Sequence, residues 1–318
     1  MDSEILSVSP QCWSEWESLK VVGICRPAPF AVTTHEEARL VGFRNILDPF
    51  RALEAYERLR TVLKDNNIAV FDLCDYLTEE ELHLGNQLVN RIYVRDIAGV
   101  FGTRLILGVA GADIRIPEFE LLQSVLRRFV IPESITITSN DSGNSIEFGD
   151  CLILNKDAVI INVGFRTSKR EIKRICSLLW ECGFEVCGLI CLPRDITTAH
   201  LDLTCNVIGR DIFVAVHFLC HIPVQVITAT GSSYYLMLPD FICHEGFKVI
   251  WLPTNSDPRG CINFINLKAK TILTSTNANP LHDLLQGHKI NIISVNVDEL
   301  EKGGGSIRCL TLPLVRSE

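Results

Sequence analysis

The sequence is short of several features that would assign it to a common class. Its apolar runs are brief: residues 105–112 are an example, well below the ~20 residues a bilayer requires. The opening Met1-Asp2-Ser3-Glu4 is acidic and lacks the basic start and apolar stretch of a secretory signal. No block of like charge is long enough to form a tail, and no low-complexity segment or clear linker interrupts the chain. There is no Cys-x-x-Cys pair. Gly149 and Gly164 stand isolated, so neither a phosphate-cradling loop nor a dinucleotide fingerprint is present. A net charge of −8 argues against a general nucleic-acid binder and against an anionic membrane surface. These absences lead to an expectation of a cytoplasmic chain with no nucleic-acid or membrane partner; self-association stays open.

What is present points to a large folded core. Of 318 residues, 47% are apolar and 21% charged, which supports a single domain over residues 1–318 rather than disorder. Thirteen cysteines, an odd count, suggest free thiols in a reducing compartment.

The apolar pattern repeats. Residues 19–26 read as a strand ended by Pro27 and Pro29. A helix follows from Pro49 to about Lys64, with Asp48 as its N-cap and Phe50, Leu53, Tyr56, Leu59, Val62 and Leu63 at helical spacing. A strand over 68–73 completes the unit. Strand, helix and strand recur at 104–109, 118–129 and 134–138, then at 157–163, 169–181 and 184–191. A fourth copy is blurred around 212–253, and a fifth falls at 270–274, 280–286 and 290–297. Strands alternating with helices indicate an α/β class of about five supersecondary units, too irregular for a linear array. Residues 140–145 read as a polar loop.

Several polar clusters could carry chemistry. Gly303-Gly304-Gly305-Ser306-Ile307-Arg308-Cys309 lets the backbone approach a ligand closely, and an arginine beside the cysteine would favour a thiolate if it reaches the sulfur. The same segment also reads as a turn before a buried cysteine. Arg95-Asp96 is either a solvated strand end or part of a site. Glu147 and Asp150 bracket a turn, or hold a ligand at a pocket mouth. Arg166 is either surface charge or a receptor for a carboxylate. His200 and Asp202, two apart, would share one face of a strand, where a carboxylate and an imidazole suit proton transfer. A zinc reading of His217, Cys220, His221, Cys243 and His244 lacks the usual paired spacing.

Taken in order, Tyr93-Val94-Arg95-Asp96, Glu147-Phe148-Gly149-Asp150, Phe165-Arg166-Thr167-Ser168, His200-Leu201-Asp202 and the segment from Gly303 to Leu314 resemble the guanidino-group-modifying (pentein) superfamily, and arginine deiminase most closely. The resemblance implies a five-unit, pseudo-symmetric α/β propeller of ββαβ-type repeats. It makes Cys309 the nucleophile and His200 the general acid/base, with Glu147 orienting the guanidinium and assisting His200. Asp96 and Asp202 would hold guanidinium nitrogens. Arg166, and with it Arg115, would bind the substrate carboxylate, and Asp150 would belong to the substrate-binding set. The implied reaction converts arginine or a close analogue to a ureido product and ammonia through a covalent cysteine intermediate, with no cofactor and no metal.

Two positions depart from the family pattern. Phe148 stands where the acidic turn has a glycine, and would narrow the pocket. Cys205 stands at an apolar position. In length the chain is nearer to dimethylarginine dimethylaminohydrolase, but that enzyme has lysine two residues after its histidine, where this chain has Asp202. An amidinotransferase and a non-catalytic guanidino binder are the remaining alternatives.

Overall fold

The computed structural model describes residues 7–30, 32–137, 144–193, 199–253 and 258–318. Most of the polar loop expected at 140–145 lies outside the described residues. Five sheets share one pattern: a first strand antiparallel to a second, and the second parallel to a third. In the first unit these are Leu312–Ser317, Ser18–Ile24 and Ala69–Asp72. In the second they are Ala98–Phe101, Arg104–Leu107 and Ile135–Ile137. Cys151–Ile153, Ala158–Asn162 and Val186–Ile190 form the third. Cys205–Ile208, Ile212–Val216 and Lys248–Leu252 form the fourth. Ile265–Lys268, Thr271–Ser275 and Asn291–Val295 form the fifth. Each parallel pair needs a crossover, and a helix lies in every one.

The first crossover helix, Pro49–Asp65, starts as the sequence predicts: Asp48 accepts hydrogen bonds from the amides of Phe50 and Arg51, and Pro49 takes the first helical position. Its buried stripe is rotated from the expected one. Ala52, Ala55, Tyr56, Leu59 and Leu63 face the core, while Phe50 is 80% exposed. The two alanines let the helix lie close to its sheet, and the bulky Phe50 is carried outward. The helix Ile116–Phe129 buries Phe119, Leu122, Val125, Leu126 and Phe129 on one face. Each such side chain contributes about 1.5–3 kcal/mol by leaving water.

The blurred fourth copy has a physical cause. Its crossover carries a hairpin, Pro223–Thr228 with Ser233–Met237, and the first of these strands adds to Val186–Ile190 of the third unit. Only the short helix Leu238–His244 remains for the fourth unit itself. No helix among the described residues is long and apolar enough to cross a membrane.

One consequence of the repeat decides where function can lie. The turn leading into each unit's first strand is polar and buried. Asp96 precedes Ala98–Phe101, Glu147 precedes Cys151–Ile153, and His200 and Asp202 precede Cys205–Ile208. Asn263 precedes Ile265–Lys268, and Cys309 precedes Leu312–Ser317. The same position in each unit therefore delivers a polar group toward one region.

Candidate active site

Three of these turns, those of Asp96, His200 and Cys309, line a cavity of about 410 Å³ whose wall also includes Tyr93, Arg115 and Arg166; Glu147 and Asn263 lie behind it, against His200 and Cys309. A thiol and an imidazole from opposite parts of the sequence thus open onto one space. His200 and Asp202 do not share a strand face as the two-residue spacing predicts. Leu201–Leu203 is a single 3-10 turn, which sends His200 to the cavity and Asp202 behind the sulfur. The polar tetrad at 147–150 is likewise a 3-10 turn rather than a hairpin. Gly149 is obligatory there, because a Cβ would lie 2.7 Å from an Asp96 carboxylate oxygen and 2.8 Å from the His200 ring.

On the imidazole side, His200 Nε2 and Glu147 Oε2 are 2.7 Å apart, and His200 Nδ1 lies 3.6 Å from Asp96 Oδ1. Burial disfavours the charged ring, but Asp96, Glu147 and Asp150 outweigh it and push its pKa up to about 10. Burial would raise Glu147 too; the hydrogen bond and charge of His200, with Arg115 and Arg166, bring it down to about 2. The pair is an imidazolium and a carboxylate at neutral pH.

Arg115 is not free to receive a carboxylate as the resemblance implies. Its Nη1 is 2.5 Å from Asp96 Oδ2, its Nε donates to Glu118 at 3.0 Å, and its Nη2 donates to the Tyr93 carbonyl at 3.3 Å. It serves as an internal counter-cation. Arg166 differs: Nη1 lies 3.9 Å from Glu147 Oε1, and both Nη1 and Nε are buried without a hydrogen-bond acceptor. Asp150 does not line the cavity. Its Oδ1 accepts from Asn162 at 2.8 Å and from the Leu201 amide at 3.0 Å, so it fixes the turn that carries His200.

On the sulfur side, Cys309 Sγ lies 3.7 and 3.9 Å from the two Asp202 oxygens. Burial, then Asp202 and Asp96, raise the thiol well above its ordinary value. The condition set for Arg308, that its guanidinium reach the sulfur, is not met. It donates to Asp202 Oδ2 at 2.7 Å, to Glu15 at 2.8 Å and to the Cys151 carbonyl at 2.7 Å. A buried guanidinium takes carboxylates first because an unpaired one is costly. Gly305 passes so close that a Cβ would stand 2.9 Å from Sγ. Asn263, which no sequence motif marks, donates to Sγ at 3.1 Å. Its one sequence signal is an amide set among apolar residues just ahead of a strand.

The two departures have no bearing on the cavity. Phe148 points into the core against Phe101, their rings 5.5 Å apart, and Gly99 makes room for it. It does not narrow the pocket. Cys205 is buried under the His200 turn, 3.8 Å from the Leu201 carbonyl.

Asp96, Glu147 and His200 could together offer three ligand atoms to a metal, as could Cys25, Asp72 and Cys74. In the first set Arg115 already supplies the positive charge, 2.5 Å from Asp96. In the second, Arg26 pairs with Asp72 at 3.0 Å. Among the described residues, His217, Cys220, His221, Cys243 and His244 do not gather their ligand atoms.

The sequence pattern that defines the arginine deiminase family matches residues 64–316. This chain belongs to the arginine deiminase family. It stands within the pentein superfamily, with the hydrolases of guanidino C–N bonds. It is 23% identical to the uncharacterised Bacillus subtilis protein YkgA over 96% of both chains. It is 24% identical to the arginine deiminase of Listeria welshimeri, over 86% of this chain and 74% of that one. Its fold matches that of dimethylarginine dimethylaminohydrolase from Pseudomonas aeruginosa, crystallised with citrulline, with a TM-score of 0.69 at 16% identity, covering 93% of this chain and 99% of that one.

Proposed function

We propose that the chain hydrolyses the guanidino group of arginine or a close analogue, releasing a ureido product and ammonia. The observation that carries this reading is the single cavity into which Cys309, His200 and Asp96 all open, backed by Asp202 and Glu147. The five units, set around one pseudo-fivefold axis as a single catalytic domain, would bring these turns together.

The surroundings favour a proton on both reactive groups. Burial, then Asp202 and Asp96, disfavour the thiolate, and Asp96 and Glu147 favour the imidazolium. A planar guanidinium reverses half of this. Placed against Asp96, with Asp202 Oδ1 behind the sulfur, it neutralises the carboxylates that keep the thiol protonated. The thiol then gives its proton to solvent, and the thiolate adds to the guanidinium carbon and forms a C–S bond. His200 donates its Nε2 or Nδ1 proton to the departing nitrogen as the C–N bond breaks, leaving an amidino thioether and ammonia. The neutral imidazole takes a proton from water, whose oxygen attacks the same carbon. The C–S bond breaks, the thiolate is restored and the ureido product leaves. With arginine that product is citrulline. Arg166, the cation on the cavity wall whose Nε and Nη1 have no acceptor, would receive the substrate carboxylate; Arg115 would hold Asp96 and Glu147 in place.

The test is a panel of arginine, methylated arginines, agmatine and guanidinoacetate, scored for ammonia, amines and ureido products. Ammonia and citrulline from arginine are expected, and Cys309→Ala should abolish turnover while leaving the thermal melt in place. Dimethylamine from a methylated arginine would assign a dimethylaminohydrolase. Ornithine formed only when an amine acceptor is added would assign a transferase. Full activity of Cys309→Ala would end the covalent mechanism.

A further inference from the structure

Four of the five units send a residue to which the proposed mechanism gives a role from the turn before their first strand. The fifth sends Asn263, and its side chain is fully buried beside the nucleophile. Its Oδ1 accepts from the backbone amides of Ser306 at 3.1 Å and Cys309 at 3.0 Å. Its Nδ2 donates to the Asp202 carbonyl at 3.2 Å and to Cys309 Sγ at 3.1 Å. Its own backbone carbonyl accepts from Arg308 N at 3.0 Å. An amide side chain has two acceptor sites and two donors, and here all four are engaged.

We propose that Asn263 is a positioning residue for the nucleophile: it locks the 306–309 loop and gives the sulfur an N–H donor that strengthens as the thiol becomes a thiolate. This rests on the reading of Cys309 as nucleophile. The other groups around the sulfur explain the need. Asp202 and Asp96 oppose a negative sulfur, and Arg308 is turned to Asp202 and Glu15. Asn263 is the neutral donor that touches Sγ directly, and a hydrogen bond to a charged acceptor is the stronger kind. Aspartate in its place would have the same shape but no donor, and would add a third carboxylate beside the sulfur.

The experiment compares wild type with Asn263→Asp and Asn263→Ala. Each is alkylated with iodoacetamide across pH 6 to about 10, a range that spans the ordinary thiol pKa. Reaction forms an S–C bond, releases iodide and gives the thiol proton to buffer. It is read by mass spectrometry on the tryptic peptide that begins at Cys309. The expected result is an alkylation profile moved to higher pH in Asn263→Asp, with roughly tenfold slower labelling near pH 8. In turnover, kcat should fall by a similar or larger factor while KM stays within about threefold. A folded Asn263→Asp or Asn263→Ala protein with the wild-type alkylation profile overturns the proposal.

A second measurement needs no variant. A crystal structure of the wild-type protein should place Asn263 Nδ2 within hydrogen-bond reach of Sγ, and a separation beyond about 4 Å overturns the proposal. The two readings fail separately: labelling reports on the sulfur's surroundings even if arginine is not the substrate, and Cys309→Ala tests turnover without involving Asn263.

Discussion

The imidazole and sulfur sides of the cavity are built on different physics. Around His200 the partners are charges: Glu147 and Asp96 against Arg115 and Arg166. Around Cys309 the nearest contact is a neutral amide, the nearest cation is engaged elsewhere, and the carboxylates oppose ionisation. The imidazole is therefore held charged by its neighbours, whereas the thiol is held neutral. Under the proposed function, a cationic substrate would be what releases the sulfur.

Breaking the imidazole side should have the larger effect. Glu147→Gln removes the anion that holds the His200 proton, and burial then drives the ring toward its neutral form. The alkaline limb of the kcat/KM profile should fall from near pH 10 by about two units, and loss of the carboxylate that holds the ring should itself lower kcat by roughly 10²–10³-fold. Stability should change with it. Since the folded His200 pKa is raised, its contribution is complete below about pH 6.5 and is lost as pH climbs through about 10. Glu147 is depressed, so its contribution is present above about 4.5 and is lost toward pH 2. Thermal melts of wild type across this range should show both limbs, and Glu147→Gln should flatten them.

The sulfur side can be sharpened with two alkylating agents. Near pH 7 a cationic haloacetamidine should label Cys309 about 10–100-fold faster than neutral iodoacetamide, relative to their rates with a small free thiol. Equal ratios would mean that the carboxylates do not control the thiol. Arg166→Ala should raise KM for arginine by about tenfold or more and leave agmatine, which has no carboxylate, nearly unchanged. The smallest effect belongs to Asp150. Burial pushes its carboxyl up to about 7, so its ionisation destabilises the fold progressively as pH rises from about 4 through 7. Asp150→Asn keeps both accepted hydrogen bonds and should cost less than about 1 kcal/mol at pH 5. It should also remove that decline, which urea melts at pH 5 and 8 would show.

Much of this molecule was legible in its sequence, and the exceptions have causes. The second strand, crossover helix and third strand of the first, second, third and fifth units follow from hydrophobic period and from caps such as Asp48, whereas the short antiparallel first strands, such as Ala98–Phe101, carry no period of their own. The fourth unit was hidden because its crossover lends a hairpin to its neighbour's sheet, a long-range pairing that local pattern does not encode. Cys309, His200 and Glu147 were marked by motif. Adjacency in sequence leaves open whether Arg308 reaches the sulfur, and burial decides it by sending the guanidinium to Asp202 and Glu15. Asn263 escaped notice because an asparagine within Cys261-Ile262-Asn263-Phe264 carries no catalytic signature. Only the repeat, which puts a polar residue ahead of every first strand, singles it out.

The strand that follows Cys309 pairs with Ser18–Ile24, from the opposite end of the described chain. During synthesis Ser18–Ile24 must wait for the segments between the two strands to be made, and the loop to be closed is long. Until those two ends zip together the sulfur has no imidazole opposite it and no cavity to face. Under the proposed function, the first turnover would therefore report the moment this pairing forms.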